Sequence, residues 1–181
     1  MTKQKRLSAQ RITITAVFMA FNIIMSSFGI PVPGGHLYLC DAVICLAAIL
    51  LNPFEAFVVG GIGSFIGDML FYPAPMFVSL VTHGLQAVAI SYCSHNILKS
   101  KPRLASGIGV TLGGIIMVTG YTLGKIYVYS TLADAIVKFP YEVAQAALGG
   151  ILGMVLCWKG GLGKIFERLT ASYETSHANQ A

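Results

Sequence analysis

Long apolar runs alternate with short polar or turn-rich connections along the whole chain, and the alternation predicts six membrane helices. The predicted spans cover residues 12–30, 38–51, 56–71, 76–94, 104–128 and 141–158. A helix needs roughly 20 predominantly apolar residues to cross the ~30 Å hydrocarbon core. The second run is short for that, which predicts a tilted helix or one buried within the bundle. The breaks carry residues that stop helices. Pro31-Val32-Pro33-Gly34-Gly35-His36 closes the first span, Asn52-Pro53 the second and Tyr72-Pro73-Ala74-Pro75 the third. Residues 129–140, with Asp134 and Lys138 and ending on Pro140, are expected to form a loop before the sixth span.

Composition agrees with that pattern. Apolar residues make up 55% of the 181 and charged residues 10%, with a mean hydropathy of +0.73. Six helices and their connections use nearly the whole length, leaving no room for a soluble domain. The expected fold is therefore an all-α integral membrane protein, a single compact bundle of six transmembrane helices.

Charge then orients the bundle. Of 12 Lys and Arg residues, all but Lys125 and Lys138 fall in three stretches. Lys3, Lys5, Arg6 and Arg11 precede the first span, Lys99, Lys101 and Arg103 occupy the middle connection, and Lys159, Lys164 and Arg168 follow the last span. Basic residues flanking spans are retained on the cytoplasmic side, so both termini and the middle loop are expected inside. Tyr38, Tyr72, Tyr127, Tyr129 and Tyr141 would then lie at the outer interface, where amphipathic rings are favoured. The net charge of +5 is split among juxtamembrane segments, which fits anionic lipid and not nucleic acid. The first run follows basic residues as a signal peptide does, but it is long and Ser26-Ser27-Phe28-Gly29 makes a poor cleavage site, so it reads as a retained span. Cys40, Cys45, Cys93 and Cys157 lie in or beside apolar runs without metal-binding spacing and are expected as buried thiols.

Small residues recur four apart at Ala16/Ala20, Gly63/Gly67, Gly109/Gly113 and Gly120/Gly124. That spacing lines one helix face and lets backbones approach closely, as packed membrane helices require.

Polar residues at membrane depth carry the functional signal, because they are costly unless they face a cavity or a partner. Asp41, Asp68, His83, Gln86, Tyr121, Lys125, Glu142 and Gln145 all fall in the outer half of the predicted bundle. His83 and Gln86 share a helix face, as do Tyr121 and Lys125. Together they predict a polar pocket open to the outside and closed below by apolar packing. Asp41 and Glu142 equally suit helix N-termini, where a carboxylate meets the dipole, and Lys125 is long enough to snorkel to the surface. Enzymatic motifs are missing. Gly161-Leu162-Gly163-Lys164 lacks the hydroxyl residue and glycine spacing of a phosphate loop, so the chain is not expected to hydrolyse ATP.

The length, the six spans, Ala16-Val17-Phe18-Met19-Ala20 in the first span, and Asp41-Ala42-Val43 through Gly67-Asp68-Met69-Leu70 give the chain its resemblance to a known family. It resembles the substrate-binding S components of energy-coupling factor (ECF) vitamin transporters, most closely the hydroxymethylpyrimidine/pyridoxine branch. The resemblance implies several things. The Ala16/Ala20 face would meet a transmembrane T component, driven by two ATPase subunits that hold the ATP and magnesium, with no cofactor or metal in this chain. A vitamin would bind near the outside, gated by the first outer loop, including Pro33, Gly34, Gly35 and His36. The location would be a prokaryotic plasma membrane. An S component for riboflavin or pantothenate stays open, and so does a stand-alone secondary carrier coupled to protons through Asp68, His83 or Glu142.

Overall fold

The computed structural model describes residues 9–178, with side chains described as far as residue 171. Lys3, Lys5 and Arg6, three of the basic residues used for orientation, lie outside the described residues. The chain runs as α1 (Ala9–Ser26), a hairpin of β1 (Gly29–Val32) and β2 (Gly35–Tyr38), and α2 (Cys40–Leu50). It continues through α3 (Pro53–Phe71), α4 (Met76–Asn96), α5 (Pro102–Tyr129), α6 (Leu132–Trp158) and α7 (Leu162–Ala178). Five of these helices, α1 and α3 to α6, are long and apolar enough to cross a membrane.

The second expected span becomes two pieces. Its helix, α2, has only 11 residues, about 16 Å at 1.5 Å per residue, and spans half a bilayer at most by itself. Apart from Asp41 it is apolar all round and buried, which suits the centre of a bundle. Ile44, Cys45, Leu46, Ala48 and Ile49 of α2 pack with Ala56, Ala87, Ile90 and Cys157, and Ala47 and Leu51 with Val59. The bundle is built around α2.

Two expectations about boundaries are corrected. Residues 27–30, assigned to the first span, leave the helix: Ser26 and Ser27 turn their hydroxyls back onto the Asn22 and Ile24 carbonyls, and Gly29 pairs with Tyr38. The connection after it is an antiparallel hairpin with Gly29–Tyr38, Ile30–Leu37, Pro31–His36 and Val32–Gly35 in register, so the fold is not purely helical. Residues 132–140, expected as loop, are helix. The Thr131 hydroxyl accepts from the Asp134 N–H at 3.2 Å and starts α6. Pro140 sits inside that helix, a position tolerated in membrane helices where neighbours satisfy the freed groups.

Three of the four small-residue pairs are consumed within the bundle. A Cβ on Gly63 would meet Asn22 and Met19, and one on Gly67 would meet Ser26, so this pair seats α3 on α1. Gly109 and Gly113 admit Cys93 and Ile90, and Gly120 and Gly124 admit Thr82 and Val78, seating α5 on α4. Ala16 and Ala20 do the opposite and stand exposed. The buried positions of α1 are polar, Thr15, Asn22 and Ser26, while Ile12, Val17, Phe21 and Ile24 face outward. Asn22 donates to the Val59 carbonyl at 2.7 Å, within the π-helical turn Val58–Ile62 of α3.

At the end of the bundle away from the hairpin, Arg11 forks onto Glu55 at 2.7 and 2.5 Å. Glu55 also completes a capping box with Asn52 at the start of α3. The four cysteines are buried and free, as expected of small hydrophobes.

Candidate functional site

The hairpin lies over a cavity at one end of the bundle. His36, Tyr38, Cys40, Asp68, Tyr72, His83, Met117, Tyr121, Lys125, Tyr129, Lys138, Glu142 and Gln145 are among its lining residues. The space is narrow with the hairpin in this position: about 50 Å³ is open to the centre of a water-sized sphere. Six of the eight predicted site residues line it, namely Asp68, His83, Tyr121, Lys125, Glu142 and Gln145. Asp41 and Gln86 do not; they stand behind the wall and hold it.

That support is a chain of hydrogen bonds centred on Asp41, which is fully buried. Its two carboxylate oxygens accept the amide groups of Gln86 at 2.9 Å and Gln145 at 2.7 Å. A carboxylate is an acceptor only, so both glutamines must turn their NH2 groups toward it and their carbonyls away. The Gln86 carbonyl then faces His83 Nδ1 at 2.6 Å, which makes Nδ1 the donor of that bond. The Gln145 carbonyl accepts the backbone N–H of Tyr38 at 3.0 Å, at the inner end of the hairpin. One carboxylate thus sets an imidazole on α4 and the root of the hairpin together. Asp41 also stands in the first turn of α2, where a carboxylate meets the helix dipole, but it makes no capping hydrogen bond. Gly149 makes room for it: a Cβ there would collide with Asp41.

A second network lies beside the first. The Ser79 hydroxyl donates to Asp68, and the Tyr121 hydroxyl lies 2.5 Å from Ser79. With the single Ser79 proton committed to the carboxylate, Tyr121 is the donor of the second bond. Tyr121 also meets the His83 ring edge-on at 5.2 Å between centroids. Glu142 accepts a long hydrogen bond from Thr122 at 3.4 Å.

Two lysines hold the hairpin down. Lys125 Nζ donates to the Gly34 carbonyl at 3.1 Å and lies 5.0 Å from the Tyr129 ring centre; it is buried and does not snorkel outward. Lys138 Nζ donates to the His36 carbonyl. Gly34 has φ +78°, and a Cβ on it would press on Asp134 and Lys138 of α6, so the turn needs glycine both for its backbone and for this approach. Of the predicted gating residues, Gly35 and His36 line the cavity, while Pro33 and Gly34 form the tip. His36 packs between Tyr38 and Tyr72, at 6.1 and 5.9 Å. Burial, with help from the Asp68 charge, pushes the Tyr38 phenol up to about 12, so it remains a hydrogen-bond donor at neutral pH.

Lys138, Ser79, Tyr38, Tyr72 and Tyr129 were not among the predicted site residues. Lys138 falls in the loop that the sequence predicts, and only its isolation from the basic clusters marks it. Ser79 gave no signal beyond lying four residues before His83 on the same helix.

Charge-assisted hydrogen bonds of this kind contribute roughly 1.5–3 kcal/mol. Lys138→Ala should therefore speed amide hydrogen exchange across residues 29–38 by about tenfold or more, as read by mass spectrometry of the detergent-solubilised protein. Unchanged exchange would mean that the lysine does not hold the hairpin.

Cys40, Asp41 and His83 also bring possible metal-ligating atoms within 4.8 Å of one another. Asp41 already has both oxygens committed to glutamine amides and His83 Nδ1 faces Gln86, so an ion bound through those atoms would have to break these hydrogen bonds.

The model of the family described as "ECF-type riboflavin transporter, S component" matches residues 6–160 of this chain. An uncharacterized protein of Pyrococcus woesei, described by its position in the gap 3' region, is 33% identical over 141 residues, which cover 77% of this chain and 88% of the relative. Ala16 and Ala20, the cavity and the hairpin all lie within the matched residues.

Proposed function

Because the chain belongs to the S-component family of ECF-type riboflavin transporters, we propose that its cavity captures a flat heteroaromatic vitamin and that the hairpin closes over it. The chain is a multi-pass membrane protein and a substrate-binding subunit of a vitamin transporter, not an enzyme. The observation that carries the substrate reading is the set of rings around the cavity. Tyr38, Tyr72, Tyr121 and Tyr129 with His36 and His83 line it, and three pairs among them, His36–Tyr38, His36–Tyr72 and His83–Tyr121, pack on each other at 5.2–6.1 Å between centroids, inside the range aromatic pairs prefer. Asp68 and Glu142 add acceptors for ring amino or hydroxyl groups. Acyclic pantothenate would leave that aromatic lining unused.

Two sizes of ligand compete. Room for a few water molecules favours a single ring, hydroxymethylpyrimidine or pyridoxine. Riboflavin, the substrate in the family's name, has three fused rings and a sugar-alcohol tail, and would need the hairpin to swing further out. Calorimetric titration of the purified protein with all three compounds separates them. Saturable binding of a single-ring vitamin with weaker or absent riboflavin binding is the expected result. Tight riboflavin binding alone would overturn the single-ring assignment while leaving the transport role intact.

The hairpin end is taken as extracellular and the end carrying Arg11, Arg103 and Lys159 as cytoplasmic, in a prokaryotic plasma membrane. A cysteine replacing Lys101 should then be shielded from an impermeant thiol reagent in intact cells, and one replacing Asp134 should react. Labelling at position 101 from outside would invert the assignment.

Energy would come from a T component and two ATPase subunits meeting α1 at Ala16 and Ala20. The outward exposure of that pair, when the three glycine pairs are all spent on internal packing, supports this reading. A proton-coupled stand-alone carrier would have no use for an exposed small-residue face.

A further inference from the structure

The last helix, α7, lies beyond the residues shared with the family and is the least apolar helix of the chain. It follows a turn at Gly161, φ +76°, and its contacts trace its path. Leu162 packs against the cluster of α2 and Cys157. Phe166, one turn on, packs against Ala47, Leu51 and Val59 beside Ile14, Phe18 and Met19. Leu169 presents its carbonyl to the Gln10 amide at 2.8 Å. Within two turns α7 has passed from the end of α6 to the start of α1, so it runs across the bundle end and not along it.

Its remaining faces are ordered around the helix. Ile165 and Leu169, one turn apart, are 50% and 52% exposed and flank the half-buried Leu162/Phe166 stripe. Lys164 and Arg168, also one turn apart, form the next strip, and Glu167 lies beyond them. Neither cation is in an ion pair among the described residues. A helix that crosses the end of a membrane bundle with an exposed apolar edge, a basic strip beside it and Glu167 on the side opposite the apolar edge has the layout of an interfacial helix.

We propose that α7 is seated in the lipid surface: Ile165 and Leu169 enter the acyl boundary of the adjacent leaflet while Lys164 and Arg168 reach anionic phosphate headgroups. The basic strip complements an anionic leaflet, each such cation contributing on the order of 1 kcal/mol near the surface. The bilayer, and not a protein, is the occupant the geometry favours, because an edge of two side chains is too small for a stable protein interface.

Nitroxide labels on Ile165→Cys, Leu169→Cys and Glu167→Cys in the full chain test this. The protein is reconstituted in vesicles of phosphatidylcholine with one quarter phosphatidylglycerol, and collisions with oxygen and with a water-soluble nickel chelate are compared. Labels at 165 and 169 should favour oxygen and the label at 167 the nickel chelate. The preference at 165 should be lost in the Lys164→Gln/Arg168→Gln background, and reduced for the unaltered cations in pure phosphatidylcholine. Equal nickel accessibility at all three positions would overturn the proposal, as would labels at 165 and 169 shielded from both reagents, which would indicate a protein contact. Preserved oxygen preference without the two cations would overturn the headgroup part. The depth readout does not depend on which vitamin is bound.

Discussion

Asp41→Ala should reduce vitamin affinity by at least about 30-fold, although Asp41 does not touch the cavity. The substitution strands two buried amide groups, those of Gln86 and Gln145, and an unsatisfied buried donor costs roughly 1–3 kcal/mol. Taking the lower end for both gives ~2 kcal/mol, about 30-fold. The loss reaches the ligand through His83, whose Nδ1 partner is set by Gln86, and through the hairpin root, whose Tyr38 N–H is held by Gln145. Removing a buried carboxylate also relieves its own desolvation, so protein stability is expected to fall less than affinity. Asp41→Asn keeps the shape but supplies only one acceptor oxygen, so one glutamine must turn round. Its expected cost is about tenfold, one amide's share. Calorimetry gives the affinities, and thermal unfolding in detergent separates them from collapse of the fold. Affinity within threefold for both variants would show that the network does not support the site.

Ala16→Trp should reduce uptake to background while leaving binding by the isolated subunit unchanged. Ala16 and Ala20 stand on the outer face of α1, clear of the core clusters, so an indole there faces lipid in the isolated chain. Close helix approach depends on small side chains, and a bulky ring at the contact would hold a partner helix away. Uptake in cells that also express the T component and ATPases, set beside calorimetry on the purified variant, gives the two numbers needed. Parallel loss of both would make this face internal packing, and full uptake would remove it from the energising interface.

Much of the fold is legible in the sequence because hydrophobic runs and charge clusters act over whole helices. The starts of α3 to α5 lie within a few residues of the predicted spans, and six of the eight predicted site residues come to line one cavity. What escapes is set by contacts between distant segments. Strands of four residues carry too little alternation to register, and residues 29–38 become a hairpin because they pair with each other and are fastened by Lys125 and Lys138. Pro140 reads as a break, yet the Thr131 cap nine residues before it commits the segment to helix. Lys138, placed in a loop by that reading, is instead buried beside the hairpin. Asp41 reads as a lining residue because its burial is visible in the pattern but its two glutamine partners, 45 and 104 residues away, are not. Helix α7 is too polar to register as a span, and only Leu162 and Phe166 tie it to the core.

The central claim is that a vitamin binds beneath the hairpin and closes it. Amide hydrogen exchange of the full chain in detergent, with and without a vitamin shown by calorimetry to bind, tests this most directly. The account predicts protection concentrated in residues 29–38, with smaller protection near His83, Tyr121 and Glu142. A vitamin that binds at one equivalent yet leaves the exchange of residues 29–38 unchanged would contradict it.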